Sequence, residues 1–247
     1  MKIVALFLCL LSTVNYAVAQ KDEGDPKLTE IWTPVPPIVA PGKALGGSPS
    51  DAVVLYAGKK DTANWINKDG KRFGWMADDN SITVVTNAGE IKTKQSFGDC
   101  QLHIEWRTPA EVKGEGQGRG NSGIFLMGRY ELQVLDSYNN VTYSNGQAGS
   151  IYKQRMPLVN VCRPPGEWQS YDMIFTAPVF FESGMLKSAA RITVLHNGVL
   201  VQNNVEMWGP TAYIGIAKYE KHEAKGPLIL QDHGNPVSYR NIWVRAL

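Results

Sequence analysis

The sequence lacks the features that mark several common classes of protein. It has only three cysteines among 247 residues and no Cys-x-x-Cys or His-Glu-x-x-His motif, so nothing in it predicts a zinc site. Its formal net charge is +2 and both signs are scattered along the chain, so it offers no basic patch for nucleic acid. No run approaches the ~20 consecutive apolar residues that a membrane-spanning helix needs.

Helical periodicity and internal repeats of solenoid or propeller length are also missing. Short strand-like runs alternate with turn residues instead, and Asn197-Gly198 is the clearest hairpin turn because Asn-Gly suits positive φ angles. The predicted strands cover residues 53–56, 81–85, 89–93, 101–107, 122–127, 130–135, 168–177, 191–196, 199–205, 228–231 and 242–246. The pattern predicts an all-β fold, an antiparallel sandwich or jelly roll.

The N-terminal residues predict export. The apolar run after Lys2 and the small residues Ala17-Val18-Ala19 are typical of a secretory signal peptide, here residues 1–19. Residues 20–50 are rich in proline, glycine and charge and predict an extended arm, and residues 51–247 are predicted to form one domain. We therefore expect a periplasmic or secreted protein. That compartment would permit a disulfide between Cys100 and Cys162, although the sequence does not fix whether they meet.

The stretch from Arg119 to Ser137 combines a turn with two strand-like runs. We expect residues 121–123 to form a tight bend and residues 124–127 and 130–135 to pair as a hairpin. Glu131 and Gln133 then point to the same side of the sheet, because successive strand side chains alternate. A solvated sheet face is the commoner fate of such residues, and a binding site is the alternative.

Two other stretches place polar side chains together. In the predicted strand 101–107, His103, Glu105 and Arg107 share one face, which fits either a structural ion-pair ladder or a binding surface. Near the C-terminus, Gln231, Asp232 and His233 follow an apolar strand and precede a turn, where binding residues are often found. Spacing alone does not choose between these alternatives.

Four long blocks follow one another along the chain: GNSGIFLMGRYELQVLDSY, GEWQSYDMIF, ITVLHNGVLV and GPLILQDHGNPVSYRNIWVRAL. In this order they resemble the bacterial 3-keto-disaccharide hydrolase family, and the resemblance runs from about Ala52 to Leu247. It implies a concanavalin-A-like jelly-roll sandwich, exported from the cytoplasm. It also implies action on sugars whose 3-hydroxyl has been oxidised to a ketone.

A 3-keto sugar permits a route that ordinary glycosidases do not use. Jelly-roll glucanases usually carry closely spaced acids on one strand, as in E-x-D-x-E, and no such run occurs here. The ketone acidifies the hydrogen on C2, so a base can remove it, the enolate can expel the group on C1, and water can then add to the enone. Such a site needs a base, a group that stabilises the enolate oxygen and a general acid.

The candidate residues fall into two sets, whose individual roles the sequence does not assign. The catalytic candidates, with Glu131 and His233 leading, are Glu131, His233 and Asp232. The substrate-binding candidates are Glu105, Arg107, Arg119, Asn121, Gln133, Asp136, Trp208 and Gln231. Each has a structural alternative: Asp136 can form an Asx turn, Asp232 can cap the turn at Gly234, and His233 can be a surface histidine.

The function that these patterns favour is cleavage of 3-keto-glycosides by an exported enzyme. The rival is a carbohydrate-binding module without catalysis, since the same sandwich also serves lectins. A bound divalent cation is an open alternative for holding the enolate oxygen, and the turns 78–80 and 136–140 do not match an EF-hand loop. The oligomeric state is likewise open.

Overall fold

A computed structural model describes residues 24–247, and the predicted signal peptide, residues 1–19, lies outside them. Residues 24–38 and Val39–Leu247 belong to two separate units. In the first, Asp25 caps the 3₁₀ helix Pro26–Thr29 by accepting a hydrogen bond from the Lys27 N–H at 3.0 Å. No helix among the described residues has the length and apolarity needed to cross a bilayer.

The second unit is built from antiparallel β-sheets, as predicted. The larger sheet contains β1 (Val53–Tyr56), β3 (Met76–Ala77), β4 (Ile82–Thr83), β6 (Cys100–Arg107), β9 (Gln169–Thr176), β12 (Arg191–His196), β13 (Val199–Glu206) and β15 (Ser238–Ala246). The smaller sheet contains β2 (Trp65–Asn67), β5 (Ile91–Phe97), β7 (Ser122–Leu126), β8 (Tyr130–Val134) and β14 (Gly226–Leu230). A separate hairpin pairs β10 (Val179–Phe180) with β11 (Leu186–Ser188).

The strand order is typical of a β-sandwich, in which strands that follow one another along the chain often do not lie side by side in a sheet. The larger sheet runs β13-β12-β9-β6-β15-β4-β3, with β1 also paired to β15, and the smaller runs β2-β5-β14-β7-β8. In each sheet one side-chain face is apolar and buried, as at Leu102 and Ile104 of β6 and at Leu132 and Val134 of β8. These faces form the hydrophobic core, so the fold class predicted from the sequence is confirmed.

The predicted strands β1 and β12 have the expected bounds, and Asn197 and Gly198 both have positive φ, at 53° and 79°. The predicted bend over residues 121–123 is wrong, because Ser122 and Gly123 already pair within β7. The positive-φ turn lies instead at Met127 and Gly128, with φ of 53° and 66°. Glycine at position 123 therefore serves a purpose other than turning the chain.

Candidate active site

The outward face of the smaller sheet carries polar side chains in two rows across its strands. Residues that pair directly across antiparallel strands lie on the same face. The first row is Glu131, Phe125, Ile229, Lys92 and Ile66. The second row is Gln133, Gly123, Gln231, Glu90 and Lys68. Gln133 pairs with Gly123, the Gln231 N–H donates to the Gly123 carbonyl, and the Lys68 N–H donates to the Glu90 carbonyl. The face therefore carries two carboxyl groups and two amides on a rigid scaffold.

Glu131 is buried although it points away from the core, with 4% of its surface exposed. Its carboxyl group occupies the space above Gly123: a Cβ added at that glycine would lie 2.5 Å from Glu131 Oε1. Within the described residues, the carboxyl oxygens of Glu131 accept no hydrogen bond. The hydrogen bonds of this residue are formed by its main-chain N–H and C=O groups. The prediction that Glu131 and Gln133 decorate a solvated face is therefore wrong.

Burial sets the protonation of Glu131. Loss of hydration raises the pKa of its carboxyl to about 8, and the negative charge of Glu90 acts in the same direction. Glu90 is itself paired with Lys68, at 2.5 Å between Oε2 and Nζ. A carboxyl group whose pKa lies close to neutral can both take and give a proton under ordinary conditions, which is the property that general acid-base catalysis requires.

Segments from outside the sheet close over the open edge of β8. The Glu131 N–H donates to Thr211 Oγ1 at 3.0 Å, and the Glu131 carbonyl accepts from the Tyr152 N–H at 3.3 Å. Gln133 continues this edge through hydrogen bonds with residues 149 and 150. Tyr152 thereby becomes a neighbour of Glu131 on the outward face, a residue that the sequence analysis did not single out.

The orientation of the Gln133 amide is fixed by a short chain of hydrogen bonds. Asn121 Nδ2 donates to the Gln117 carbonyl at 2.7 Å, so Asn121 Oδ1 faces Gln133 and accepts from its Nε2 at 3.2 Å. Gln133 Oε1 is left buried and without a partner among the described residues, and so is Gln231 Oε1. Buried acceptors without partners cost roughly 1–3 kcal/mol each.

Comparison with known families shows to which family this chain belongs. The model of the 3-keto-alpha-glucoside-1,2-lyase-like domain matches residues 51–245. The chain belongs to this family. A search of curated proteins finds no match.

Solved structures that are similar to this chain have the same fold. A candidate glycosyl hydrolase from Parabacteroides distasonis ATCC 8503, solved at 2.13 Å, is 50% identical, covers 90% of this chain and 97% of its own, and has a TM-score of 0.86. A second candidate glycosyl hydrolase from that organism is 18% identical, with 79% and 94% covered and a TM-score of 0.55. The second comparison supports the fold alone.

Not all the predicted catalytic candidates of this family member lie at the Glu131 face. Asp232 forms the predicted cap, since its Oδ1 accepts from the Gly234 N–H at 2.9 Å, and its Oδ2 accepts from the Gly89 N–H at 3.0 Å. Its carboxylate is therefore occupied by main-chain donors. His233 is exposed at the same turn. Gln231, by contrast, joins the rows described above, and its N–H donates to the Gly123 carbonyl at 3.0 Å.

Arg119 and Asp136 lie together beside a separate cavity of about 360 Å³. Arg119 Nε donates to Asp136 Oδ2 at 2.7 Å, and Asp136 Oδ1 accepts from the Tyr138 N–H at 3.1 Å, which is an Asx turn. The Asn121 N–H, which donates to Asn235 Oδ1 at 2.7 Å, connects this cavity to the Gln133 network. The buried carboxylate beside this cavity is thus already paired, whereas the carboxyl group of Glu131 is not.

Trp208, a predicted substrate-binding residue, has 44% of its area exposed, and the guanidinium of Arg155 stands 4.9 Å from its ring centre. The thiols of Cys100 and Cys162 are both free. No group of three or more His, Cys, Asp or Glu side chains within residues 24–247 is arranged to hold a metal ion.

Glu105 and Arg107 belong to the other sheet, on the outward face of β6. Glu105 accepts from Arg240 Nε at 2.5 Å and from Asn241 Nδ2 at 2.9 Å, and His103 Nε2 lies 3.8 Å from Glu105 Oε1. The side chains of Arg107 and Arg240 both stand over the ring of Trp168, at 4.6 and 4.1 Å. Glu105 is therefore paired with His103 and Arg240, whereas Arg107 stacks on Trp168 and has no ion pair among the described residues. These contacts favour a structural role for Glu105.

Substitution of Glu105 by glutamine is expected to lower stability rather than activity. Burial alone would raise the pKa of Glu105, but the nearby His103 and the hydrogen bonds from Asn241 and Arg240 outweigh it and lower the pKa from 4.5 to about 2. A lowered carboxyl pKa contributes stability above 4.5 that is lost as the pH falls through 2. At pH 7 we expect a loss of about 2 kcal/mol in the free energy of unfolding, measured in urea.

The pH dependence supplies the control for this substitution. The difference in stability between the wild type and Glu105→Gln should shrink as the pH falls from 4.5 towards 2. Turnover per folded molecule should change by less than about twofold, since the other sheet carries Glu131. A large loss of turnover with unchanged stability would return Glu105 to the substrate-binding set.

Proposed function

We propose that the chain cleaves glycosides whose sugar carries a ketone at C3, with Glu131 as the base that removes the proton from C2. The observation that carries the proposal is the buried Glu131 carboxyl, free of hydrogen bonds in the described residues and with its pKa raised to about 8. A carboxylate stripped of hydration is a stronger base than one in water. The membership of the 3-keto-alpha-glucoside-1,2-lyase-like family supports the substrate class.

The proposed reaction is an elimination followed by hydration. The Glu131 carboxylate takes the C2 proton, and the electrons of the C2–H bond move towards C3 to give an enolate. When the enolate collapses, the C3 carbonyl re-forms, a double bond forms between C1 and C2, and the bond from C1 to the leaving oxygen breaks. Water then adds to C1. The acidity that the ketone confers on C2 explains how one carboxyl group can replace the two of an ordinary glycosidase.

Gln133 and Gln231 are proposed to hold the sugar. Their buried Oε1 atoms lack donors within the described residues, and both residues flank Gly123, over which the Glu131 carboxyl lies. A rotation of the two side chains that exposes these oxygens would let sugar hydroxyl groups donate to them and would fix the ring above the base. The predicted signal peptide leads us to propose that this reaction takes place outside the cytoplasm.

The deciding experiment compares a 3-keto-glucoside with its unoxidised parent, using the purified mature protein with and without a chelator. We expect cleavage of the keto sugar alone. Because the base acts when deprotonated, kcat/KM should rise about tenfold per pH unit below 8 and level off above it. A loss of activity with the chelator, restored by a divalent cation, would assign enolate stabilisation to that cation.

Two results would contradict the proposal. Equal cleavage of the parent glycoside would show that the ketone is not needed. Binding of glycans without turnover of either sugar, at any pH between 6 and 9, would favour the lectin-like alternative. The control is a thermal melt of the same preparation, in which a cooperative unfolding transition shows that an inactive protein is nevertheless folded.

A further inference from the structure

Tyr152 is the residue that the main chain places beside Glu131. Ile151 and Leu132 form an antiparallel bridge, and the Tyr152 N–H donates to the Glu131 carbonyl at 3.3 Å. Tyr152 is therefore opposite Glu131 in this short extension of the sheet, and residues in opposite positions project to the same side with their Cβ atoms about 5 Å apart. The negative charge of Glu131 is one of the influences on the Tyr152 hydroxyl, which agrees with this placement.

The hydroxyl group of Tyr152 is linked towards solvent through a second tyrosine. It lies 2.7 Å from the hydroxyl oxygen of Tyr143, and the two ring centres are 6.3 Å apart. Tyr143 is 41% exposed. Two hydroxyl groups in contact can pass a proton by changing which of them donates, so the pair connects the Glu131 face with bulk water.

The Tyr152 hydroxyl holds its proton firmly before substrate arrives. Burial raises its pKa above the ordinary value of 10, and the hydrogen bond to Tyr143 and the nearby charges act in the same direction. A group that stays protonated beside a base fits the second proton-transfer role in an elimination. The reaction needs such a group, because an alkoxide leaves a carbon with difficulty unless it is protonated as it departs.

We propose that Tyr152 donates its proton to the leaving oxygen on C1 and that Tyr143 returns a proton from solvent. This proposal rests on the function proposed above. As the C1–O bond breaks, the leaving oxygen takes the Tyr152 proton and departs as an alcohol, and the Tyr152 oxygen recovers a proton from the Tyr143 hydroxyl. Glu131 keeps the C2 proton until it is released to water, so protons and electrons balance.

The test uses two substrates that differ only in the leaving group. Methyl 3-keto-glucoside needs a proton donor because methoxide is a poor leaving group, whereas 4-nitrophenyl 3-keto-glucoside releases a stabilised phenolate. In Tyr152→Phe, kcat for the methyl substrate should fall by about 100-fold or more, and kcat for the nitrophenyl substrate by less than about threefold. Tyr143→Phe should show the same selectivity with a smaller loss, about tenfold.

Hydrogen exchange at C2 separates an acid from a merely structural tyrosine. In D₂O, Tyr152→Phe should still exchange the C2 hydrogen of the methyl substrate while cleaving it slowly, because Glu131 remains in place. Equal losses on both substrates, or loss of the exchange, would overturn the proposal, and so would unchanged activity. Tyr138→Phe is the matched control and should behave like the wild type, because Tyr138 is 38% exposed and has no influence on the Tyr152 hydroxyl.

The wild type shows which proposal has failed. If it neither cleaves nor exchanges either keto substrate, the proposed function itself is wrong and the role of Tyr152 falls with it. If the wild type does both and Tyr152→Phe loses both, the function stands and only the assignment of Tyr152 is lost.

Discussion

Substitution of Glu131 by glutamine is expected to reduce kcat for a 3-keto-glucoside by about 10³-fold or more, with KM changed by less than about threefold. Glutamine keeps the shape of the side chain above Gly123 but cannot take the C2 proton. The C2 hydrogen should also stop exchanging in D₂O, because no base remains. Steady-state kinetics and proton NMR measure the two effects.

The matched control is Glu220→Gln, which makes the same chemical change on an exposed side chain paired with Lys218. It should retain the activity of the wild type. If Glu131→Gln kept more than a tenth of the wild-type kcat, Glu131 could not be the base, and the proton would have to go to another group on the face, of which Glu90 is the nearest in character.

The same substitution is expected to stabilise the fold at alkaline pH. The folded state raises the pKa of Glu131 from 4.5 to about 8, so between these values the folded chain binds more protons than the unfolded chain and stability falls as the pH rises. Each unit corresponds to about 1.4 kcal/mol. Glu131→Gln removes this cost, and at pH 8.5 we expect its Tm to exceed that of the wild type by about 4 °C or more.

At pH 4.5 the two proteins should melt within about 2 °C of each other, since Glu131 is then protonated when folded. This convergence distinguishes the titration of the carboxyl group from a general improvement in packing, which would persist at low pH. A variant that is more stable and yet inactive would also fit the common observation that active sites are maintained at the expense of stability.

Substitution of Gly123 by alanine is the second large effect that we expect, a loss of about 100-fold in kcat/KM. The new Cβ would lie 2.5 Å from Glu131 Oε1, closer than such atoms approach, and would make a tight contact of 3.0 Å with Phe125 Cε2. Gly123 does not have a positive φ, so alanine creates no backbone strain and the carboxyl group has to move. A displacement of about 1 Å of a catalytic group is enough for such a loss.

Stability should change much less than activity in Gly123→Ala, because the displaced atoms are the end of a flexible side chain. We expect a loss below about 2 kcal/mol in urea. Gly118→Ala is the control, since a Cβ there meets nothing within 4 Å and Gly118 lacks a positive φ. Full activity in Gly123→Ala would mean that the carboxyl group does not need its place above the sheet.

The strands that could be predicted are those whose own residues alternate. The residues of β7 and β8 alone predict their hairpin, and the alternation within β8 predicts that Glu131 and Gln133 lie on one side. The strands β2, β3, β10 and β11 were not predicted, because two or three residues are too few to show a period. The bend assigned to residues 121–123 was wrong because the glycine there provides space for a side chain rather than for a turn.

The burial of Glu131 could not be predicted, because distant parts of the chain produce it. Thr211, which accepts from its N–H, lies 80 residues further on, and nothing in the local pattern of β8 reports this contact. Tyr152 was missed for the same reason, since its position depends on how the segment after β8 returns to the strand. The resemblance of the blocks to a family predicted the substrate class that we propose, but it did not assign roles to residues.

The hydrogen bonds along the open edge of β8 also affect how the protein behaves at high concentration. A strand at the edge of a sheet normally presents unpaired N–H and C=O groups. Another chain can pair with these groups, and such pairing leads to aggregation. Here the outward N–H and C=O groups of Glu131 and Gln133 are all engaged by Thr211 and residues 149–152, none of which belongs to a regular strand. The strand that carries the proposed base is therefore protected from intermolecular pairing, and this part of the chain should remain free of fibril formation.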